Sequence, residues 1–307
     1  MELKENPKVE ILMATYNGEN YIEEQIESLF NQTYTNWNLL IRDDGSKDRT
    51  IEILEKLEKQ YPDKIKLLRD SKGGLKAKDN FLELLRNSKE NYIMFCDQDD
   101  VWLPNKIEIT LKKMLKVEEG PTLIHTDLKV VDKNLNIISN SFWKFQNINP
   151  SRKAYNYLIV QNNITGCTMM INRELANLSN SEFPNGLMHD WVIGIIASLK
   201  GKIEYIKEST ILYRQHGNND VGAKGYSQTI LKKIKNFKKI KNEIYKINDQ
   251  LEIIVKNIEI NDFELQKKIN QFINLPNKNL FYRKYWLIKN NFTKQGVLWK
   301  VAYIILF

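Results

Sequence analysis

Cysteine is nearly absent from this chain. Cys96 and Cys167 are the only two in 307 residues; they lie far apart in apolar, strand-like segments and form no CxxC pair. That excludes a disulfide framework and suits a reducing compartment, with both side chains serving as small core residues. No run of about 18 apolar residues occurs, so no segment is expected to span a bilayer. The first residues, MELKENPKVEILMATYN, contain no apolar h-region and lead straight into a strand pattern, so no signal peptide is expected. No internal repeat is found. What is there is ordinary: 42% apolar and 27% charged residues describe a folded, soluble protein. At this length one large domain with an appendage, or two domains, can bury a core without a metal or disulfide staple.

Charge is unevenly placed. From Ser227 to Phe307 there are 16 Lys plus Arg against 6 Asp plus Glu, whereas Met1 to Tyr226 carries 30 against 32. The sequence therefore divides into a near-neutral region, 1–226, and a strongly basic, helical-looking region, 227–307, with three glycines between Gly217 and Ser227. A basic tail suits nucleic acid, anionic lipid or an acidic partner.

The first hundred residues alternate strand and helix signals. Strands are expected at Val9–Ala14, Trp37–Arg42, Ile65–Leu68 and Tyr92–Cys96. Helices are expected at Gly18–Phe30, from Ser46 to Leu57, and around Phe81–Leu85. This spacing implies right-handed βαβ units and an α/β fold with a mainly parallel sheet, whose ligands bind at the carboxyl ends of the strands. Those ends read Ala14-Thr15-Tyr16-Asn17, Arg42-Asp43-Asp44-Gly45-Ser46 and Cys96-Asp97-Gln98-Asp99-Asp100. A helix from Pro104 to Leu115, strands at Thr122–Val131, Cys167–Ile171 and Ile203–Tyr213, and a helix at Leu187–Leu199 follow. Asp132–Asn163 has no clear period and reads as a long functional loop.

Four motifs carry chemistry. Alternation along a strand lets Asp97 and Asp99 point together, and paired carboxylates of this kind suit Mg²⁺ or Mn²⁺ beside a phosphate; Asp100 is the natural helix cap. A carboxylate in Asp43-Asp44-Gly45-Ser46 can accept the N3–H of uracil or thymine, with Ser46 capping the next helix. His189-Asp190-Trp191 offers a general base for an acceptor hydroxyl and an aromatic face for a sugar ring. In Tyr213-Arg214-Gln215-His216, the imidazole of His216 is a candidate metal ligand and Arg214 a candidate phosphate contact.

Taken in order, Ala14-Thr15-Tyr16-Asn17-Gly18, Asp43-Asp44-Gly45-Ser46, Asp97-Gln98-Asp99-Asp100-Val101-Trp102, Thr165-Gly166-Cys167, His189-Asp190-Trp191 and His216-Gly217-Asn218-Asn219 make the chain resemble family 2 glycosyltransferases of the GT-A fold. It is most similar to bacterial rhamnosyltransferases of capsule and cell-wall polysaccharide assembly. The resemblance covers about Val9 to Gly222. It implies single-displacement, inverting transfer from a dTDP- or UDP-sugar to a glycan or lipid-linked acceptor, with Mn²⁺ or Mg²⁺ as cofactor. Thr15, Tyr16, Asn17, Asp43, Asp44, Asn80 and Asp97 would bind the nucleotide. Lys76, Lys78, Gln98, Thr165, Gly166 and Arg214 would meet the donor sugar and phosphates. Asp97, Asp99 and His216 would hold the metal, Asp190 would be the base, and Trp191 would face the acceptor. Where many members have Ala-Arg-Asn, this chain has Ala77-Lys78-Asp79-Asn80, so Lys76 or Lys78 takes the place of the Arg.

The QxxRW signature of processive synthases is missing, which favours single addition. A nucleotidylyltransferase would show a Gly-rich first loop with a basic residue, and no nucleic-acid module is recognisable, so nucleic acid is not an expected partner. The expected location is the cytoplasmic, inner face of the cell membrane. The tail docks there through its lysines and through Phe281, Tyr282, Trp286, Trp299, Tyr303 and Phe307, unless it packs on the catalytic domain or forms a homodimer.

Overall fold

The computed structural model describes residues 6–70, 72–181, 188–216 and 237–307. Strand and helix alternate through β1 (Val9–Thr15), α1 (Ile22–Phe30), β2 (Trp37–Asp43), α2 (Thr50–Gln60), β3 (Ile65–Leu67), α3 (Lys76–Asn87) and β4 (Tyr92–Asp97). Then come β5 (Val101–Trp102), α4 (Lys106–Val117), β6 (Thr122–Val131), β7 (Ile137–Ser139), α5 (Phe142–Gln146), α6 (Tyr155–Leu158), β8 (Met169–Asn172), α7 (Arg173–Leu178), α8 (His189–Lys200) and β9 (Lys202–Arg214). Four helices follow: α9 (Phe237–Asn257), α10 (Phe263–Ile273), α11 (Leu280–Lys289) and α12 (Val297–Leu306).

The strands form one sheet in the order β3-β2-β1-β4-β8-β6-β9-β5, with β7 on the side of β6. Strands β1 to β4 are mutually parallel, and β8 runs antiparallel to both β4 and β6. Because β1 has β2 on one side and β4 on the other, the crevice beyond its carboxyl end is the place for a ligand. Strand alternation sorts the core into two layers. Val9, Ile11 and Met13 of β1, with Leu39, Ile41, Met94 and Cys96, meet α1, α2 and α4 through Ile26, Leu54 and Leu111. Leu12, Leu40, Ile93 and Phe95 point the other way, onto α3 and α8. Each such fully buried aliphatic contributes roughly 1.5–3 kcal/mol, and the sheet is covered on both faces.

The second layer continues into the basic region. Ile247, Leu251 and Ile254 of α9, Phe272 of α10, Trp286 of α11 and Tyr303 of α12 belong to the same core as Val192 and Ile196 of α8. Rings of Phe272 and Phe292 stack at 4.7 Å, with Trp286 5.0 Å from Phe292. Trp286, Tyr303 and Phe307, expected at a lipid interface, are thus buried: an aromatic helix facing both a core and solvent puts its tightest-fitting rings inside. The boundary expected at 226/227 lies outside the described residues, as does Leu187.

Two further expectations change. The segment Asp132–Asn163 holds β7, α5 and α6, each too short to show a period. It also seats the tail. The Asn149 amide donates to Gln295 Oε1 at 2.8 Å, the Gln295 amide donates to Gln161 Oε1 at 2.7 Å, and the Arg152 guanidinium donates to the Thr293 carbonyl. Neither expected cap is one. Helix α2 starts at Thr50, whose N–H donates to Asp48, because Ser46 is engaged with Asp43. Helix α4 starts at Lys106, with Asn105 at the cap position, so Asp100 lies six residues before the helix and cannot cap it.

Candidate active site

Two loops meet at the carboxyl ends of β1 and β2. Asp43 Oδ1 accepts from the amides of Gly45 (2.9 Å) and Ser46 (2.7 Å), and Oδ2 accepts from the hydroxyls of Thr15 (2.8 Å) and Ser46 (2.6 Å). Asn17, in the left-handed region at φ 48°, donates its N–H to Ser46 Oγ and accepts from the Lys47 amide. Gln98 reaches across from β4 and pairs reciprocally with the backbone of Tyr16, both bonds 2.9 Å. A Cβ on Gly18 would lie 2.4 Å from Gln98 Oε1, so a larger residue there would push the Gln98 amide off the Tyr16 backbone. Tyr16 is left 53% exposed at the rim.

Beneath this rim lies a residue the sequence reading missed. Arg42 is 1% exposed. Its guanidinium binds Asp70 bidentately at 2.8 and 2.9 Å, Asn80 Oδ1 at 3.1 Å and Asp44 Oδ1 at 3.3 Å. The hydrogen bonds to Asp70 hold its pKa above the ordinary arginine value, against the opposing effect of burial. Asp44 also accepts from the amides of Leu75 and Lys76, both at 2.8 Å, at the start of α3. Asp44 and Asn80 therefore support the rim from below. Lys76 is exposed, and Lys78 is ion-paired to Asp79 at 3.0 Å.

The acidic motif begins as β4 ends. A turn replaces the strand after Asp97, and alternation no longer governs the next side chains. The carboxyls of Asp97 and Asp100 and the thiol of Cys167 lie within 4.8 Å of one another. Asp99 Oδ2 is 2.7 Å from His216 Nε2. Asp100 is fully buried and accepts from the Arg214 amide at 3.0 Å; burial, then the charges of Asp99 and Asp97, push it well above the usual carboxylate range. Below it Lys106 is buried 4.6 Å over the Trp102 ring, and burial brings its pKa down to about 8.

The donor chemistry here is compatible with a divalent cation, although the groups that converge are Asp97, Asp100 and Cys167, while Asp99 is turned to His216. Asp97 and Asp99 offer hard oxygen donors and His216 an imidazole, while burial keeps the Cys167 thiol protonated. That set suits Mg²⁺ or Mn²⁺ rather than a thiophilic metal.

Arg214, expected at the phosphates, is buried instead. It donates to the carbonyls of Asp99 (2.9 Å) and Lys133 (2.8 Å) and to Glu24. Its guanidinium lies 4.8 Å from the Tyr21 ring, on which His216 stacks at 4.8 Å. Tyr21 and Glu24, which read in sequence as ordinary residues of an amphipathic helix, thus brace the acidic turn.

Asp190 lies in the first turn of α8. Its Oδ2 accepts from the Gly166 amide at 3.1 Å and its Oδ1 from the Trp191 amide at 2.6 Å, with Asn162 also bonded. Burial outweighs these bonds and pushes the pKa up to about 6. Gly166 must be glycine, since a Cβ would sit 2.8 Å from His189 Nε2. His189 is a core residue between Phe81 (4.3 Å) and Phe95 (5.3 Å), kept neutral by burial with a pKa of about 3. The Thr165 carbonyl accepts from the Thr168 amide and hydroxyl and so opens the turn through Gly166 and Cys167. Trp191 is half-buried, with its indole N–H on the Leu158 carbonyl and its ring against the core. The dipeptide Gly166–Cys167 joins the two halves: one residue holds Asp190 and the next touches Asp97 and Asp100.

Comparison with known proteins bears on the family and the fold. The family model described as glycosyl transferase family 2 matches residues 10–177. A dTDP-rhamnosyl transferase, RfbG, of Shigella flexneri is 30% identical over 223 residues, which are 69% of this chain and 74% of that protein. The Escherichia coli UDP-Glc:alpha-D-GlcNAc-diphosphoundecaprenol beta-1,3-glucosyltransferase WfgD is 33% identical over 172 residues, covering 55% of this chain and 62% of that protein. The crystal structure of Staphylococcus aureus TarS 1-349 with UDP-GlcNAc superposes with a TM-score of 0.58 at 15% identity, over 93% of this chain and 80% of that one. The shared fold includes the helices that follow the sheet.

Proposed function

Since the chain belongs to glycosyltransferase family 2, we propose that it moves a single sugar, with inversion, from dTDP-rhamnose to a hydroxyl of a glycan or lipid-linked acceptor in bacterial surface polysaccharide synthesis. The observation that carries this reading is the Gly166–Cys167 bridge, which sets a carboxylate of raised pKa beside an acidic cluster suited to a divalent cation. Likeness to RfbG favours rhamnose. Likeness to WfgD supports a second reading, the same chemistry with a UDP-hexose donor and a lipid diphosphate-linked acceptor.

In this scheme Thr15, Tyr16, Asn17 and Asp43 receive the nucleoside, and Asp44 and Asn80 keep that surface in place. Asp97, Asp99 and His216 would hold a Mn²⁺ or Mg²⁺ ion, which would supply positive charge for the leaving diphosphate. Asp190 takes the proton of the acceptor hydroxyl as its oxygen bonds to the sugar C1. The bond from C1 to the diphosphate oxygen breaks on the opposite face, its electron pair leaves with the nucleoside diphosphate, and the configuration inverts. Lys76, exposed at the start of α3, would be the cation available to phosphate charge.

The work is done at the cytoplasmic face of the membrane, where a lipid-linked acceptor would be presented. A screen of dTDP- and UDP-sugars for metal-dependent hydrolysis and for transfer to a lipid-linked glycan tests the reading. Turnover of dTDP-rhamnose alone supports the first version and turnover of UDP-glucose the second; nucleotidyl transfer with release of pyrophosphate would refute both.

A further inference from the structure

Building on the reading of a lipid-linked acceptor, we propose that the outward faces of α11 and α12 form a docking surface for an anionic bilayer, lying in its interface. Two independent observations meet there. The first is charge: after Glu264 the chain has no Asp or Glu at all, while eight Lys and Arg follow before Phe307. The second is exposed apolar surface. Ten of the sixteen large apolar side chains exposed among the described residues fall between Phe263 and Ile305.

The exposed groups are ordered on the helices. On α11, Phe281, Tyr285 and Ile288 recur at i, i+4 and i+7 and face outward, Phe281 at 86% exposure. Lys284 and Lys289 flank this stripe, with Lys289 Nζ 5.5 Å from the Tyr285 ring. On α12, Val297, Val301 and Ile305 form a similar stripe at i, i+4 and i+8, Val297 at 79%. The opposite faces bury Trp286, Leu287, Tyr303 and Phe307 in the core. The orientation of both helices is therefore set by their inner faces, and the outer stripes are left exposed. Soluble surfaces seldom keep such apolar patches without a partner.

Length and charge select the partner. Helix α12 has ten residues and is about 15 Å long, half of a hydrocarbon core of about 30 Å. No helix among the described residues is long and apolar enough to cross a membrane. Such a helix lies in the interface, its apolar side chains among the acyl chains and its ammonium groups at the level of the phosphates. A second copy of the chain is the poorer partner. A two-fold contact through this surface would set cations against cations with no carboxylate between them, whereas anionic lipid neutralises them.

Sedimentation of the full chain with vesicles tests this. Binding is expected to phosphatidylglycerol–phosphatidylcholine vesicles and not to phosphatidylcholine alone. Replacing Lys284 and Lys289 by Gln should lower partitioning about fivefold for each cation removed. The pair Phe281→Ser and Val301→Ser should lower it by at least about tenfold. Metal-dependent donor hydrolysis in solution should be unchanged in both variants, which also shows that they are folded. Equal binding to both vesicle types, unaltered binding by the serine pair, or a dimer in ultracentrifugation that the serine pair dissolves would overturn the docking surface. A chain that turns over no nucleotide sugar yet sediments with anionic vesicles would refute the enzymatic reading and leave the docking surface standing.

Discussion

The carboxylates at the ends of β1 and β2 and those beyond β4 are treated in opposite ways. Asp43 receives four hydrogen bonds, and Asp44 is met by two amides and a guanidinium. Most of the hydrogen-bonding capacity of these groups goes into shaping a rim. Beyond β4, burial and neighbouring charge push Asp100 up, and burial raises Asp190 to about 6. The difference teaches that one fold can keep acids as scaffold on one side and as chemistry on the other, according to whether their hydrogen-bond donors or their burial dominates. A scaffold acid should reveal itself in stability, a chemical one in rate.

The largest loss is expected where the chemistry is densest. Asp97→Asn and Asp99→Asn should each lower transfer about a thousandfold, the scale of losing charge stabilisation of a leaving group; transfer that persists in EDTA would remove the cation from the account. On the scaffold side, Arg42→Ala should destabilise the fold by about 3 kcal/mol, because it strands Asp44 and Asp70. Urea denaturation measures this, and a shift only in donor affinity would move Arg42 to the other side of the comparison. Asp70 adds a pH signature. Its hydrogen bonds to Arg42 depress its folded pKa, so the stability it contributes is present above the unfolded carboxylate value of about 3.9 and is lost as pH falls through the folded value. Arg42→Ala should remove most of that acid dependence, leaving the part due to the Lys72 amide and charge.

Asp190→Asn should reduce transfer about a hundredfold while leaving calorimetric donor binding intact. In the wild type, kcat/KM should rise with pH through about 6, since a raised pKa keeps Asp190 protonated and idle below that value. A profile flat across that range would show that Asp190 is not the base. The smallest effect concerns the bridge. Gly166→Ala should cost about 2 kcal/mol in transfer or stability by pressing on His189. Gly166→Ala with His189→Ala should recover part of it, since the ring it strikes is gone; no recovery would point to the Asp190 hydrogen bond instead.

Much of this was legible from residue order. Largely apolar segments of five or six residues marked β1, β2 and β4, and the polar residues after each segment marked the candidate site, because side-chain alternation and strand length are local properties. Alternation stopped being a guide at the turn after Asp97, which is why Asp99 proved to be paired with His216. Arg42 read as the polar end of a strand; only its approach to Asp70 and Asn80 makes it a buried hub. The short elements within 132–163 fell below any period.

By itself, then, the sequence determined the fold class, the order of the strands' acidic ends, the base candidate at the start of α8 and the basic character of the last helices. Each follows from local pattern or composition. Tertiary structure alone decided which carboxylates are satisfied and which are strained, that Arg214 braces rather than faces outward, and that Trp286 turns inward while Phe281 turns out. Those outcomes depend on partners distant in the chain, such as Glu24 for Arg214 and Gly166 for Asp190. Burial and hydrogen-bond supply are properties of the packed assembly, and no periodicity along one segment contains them.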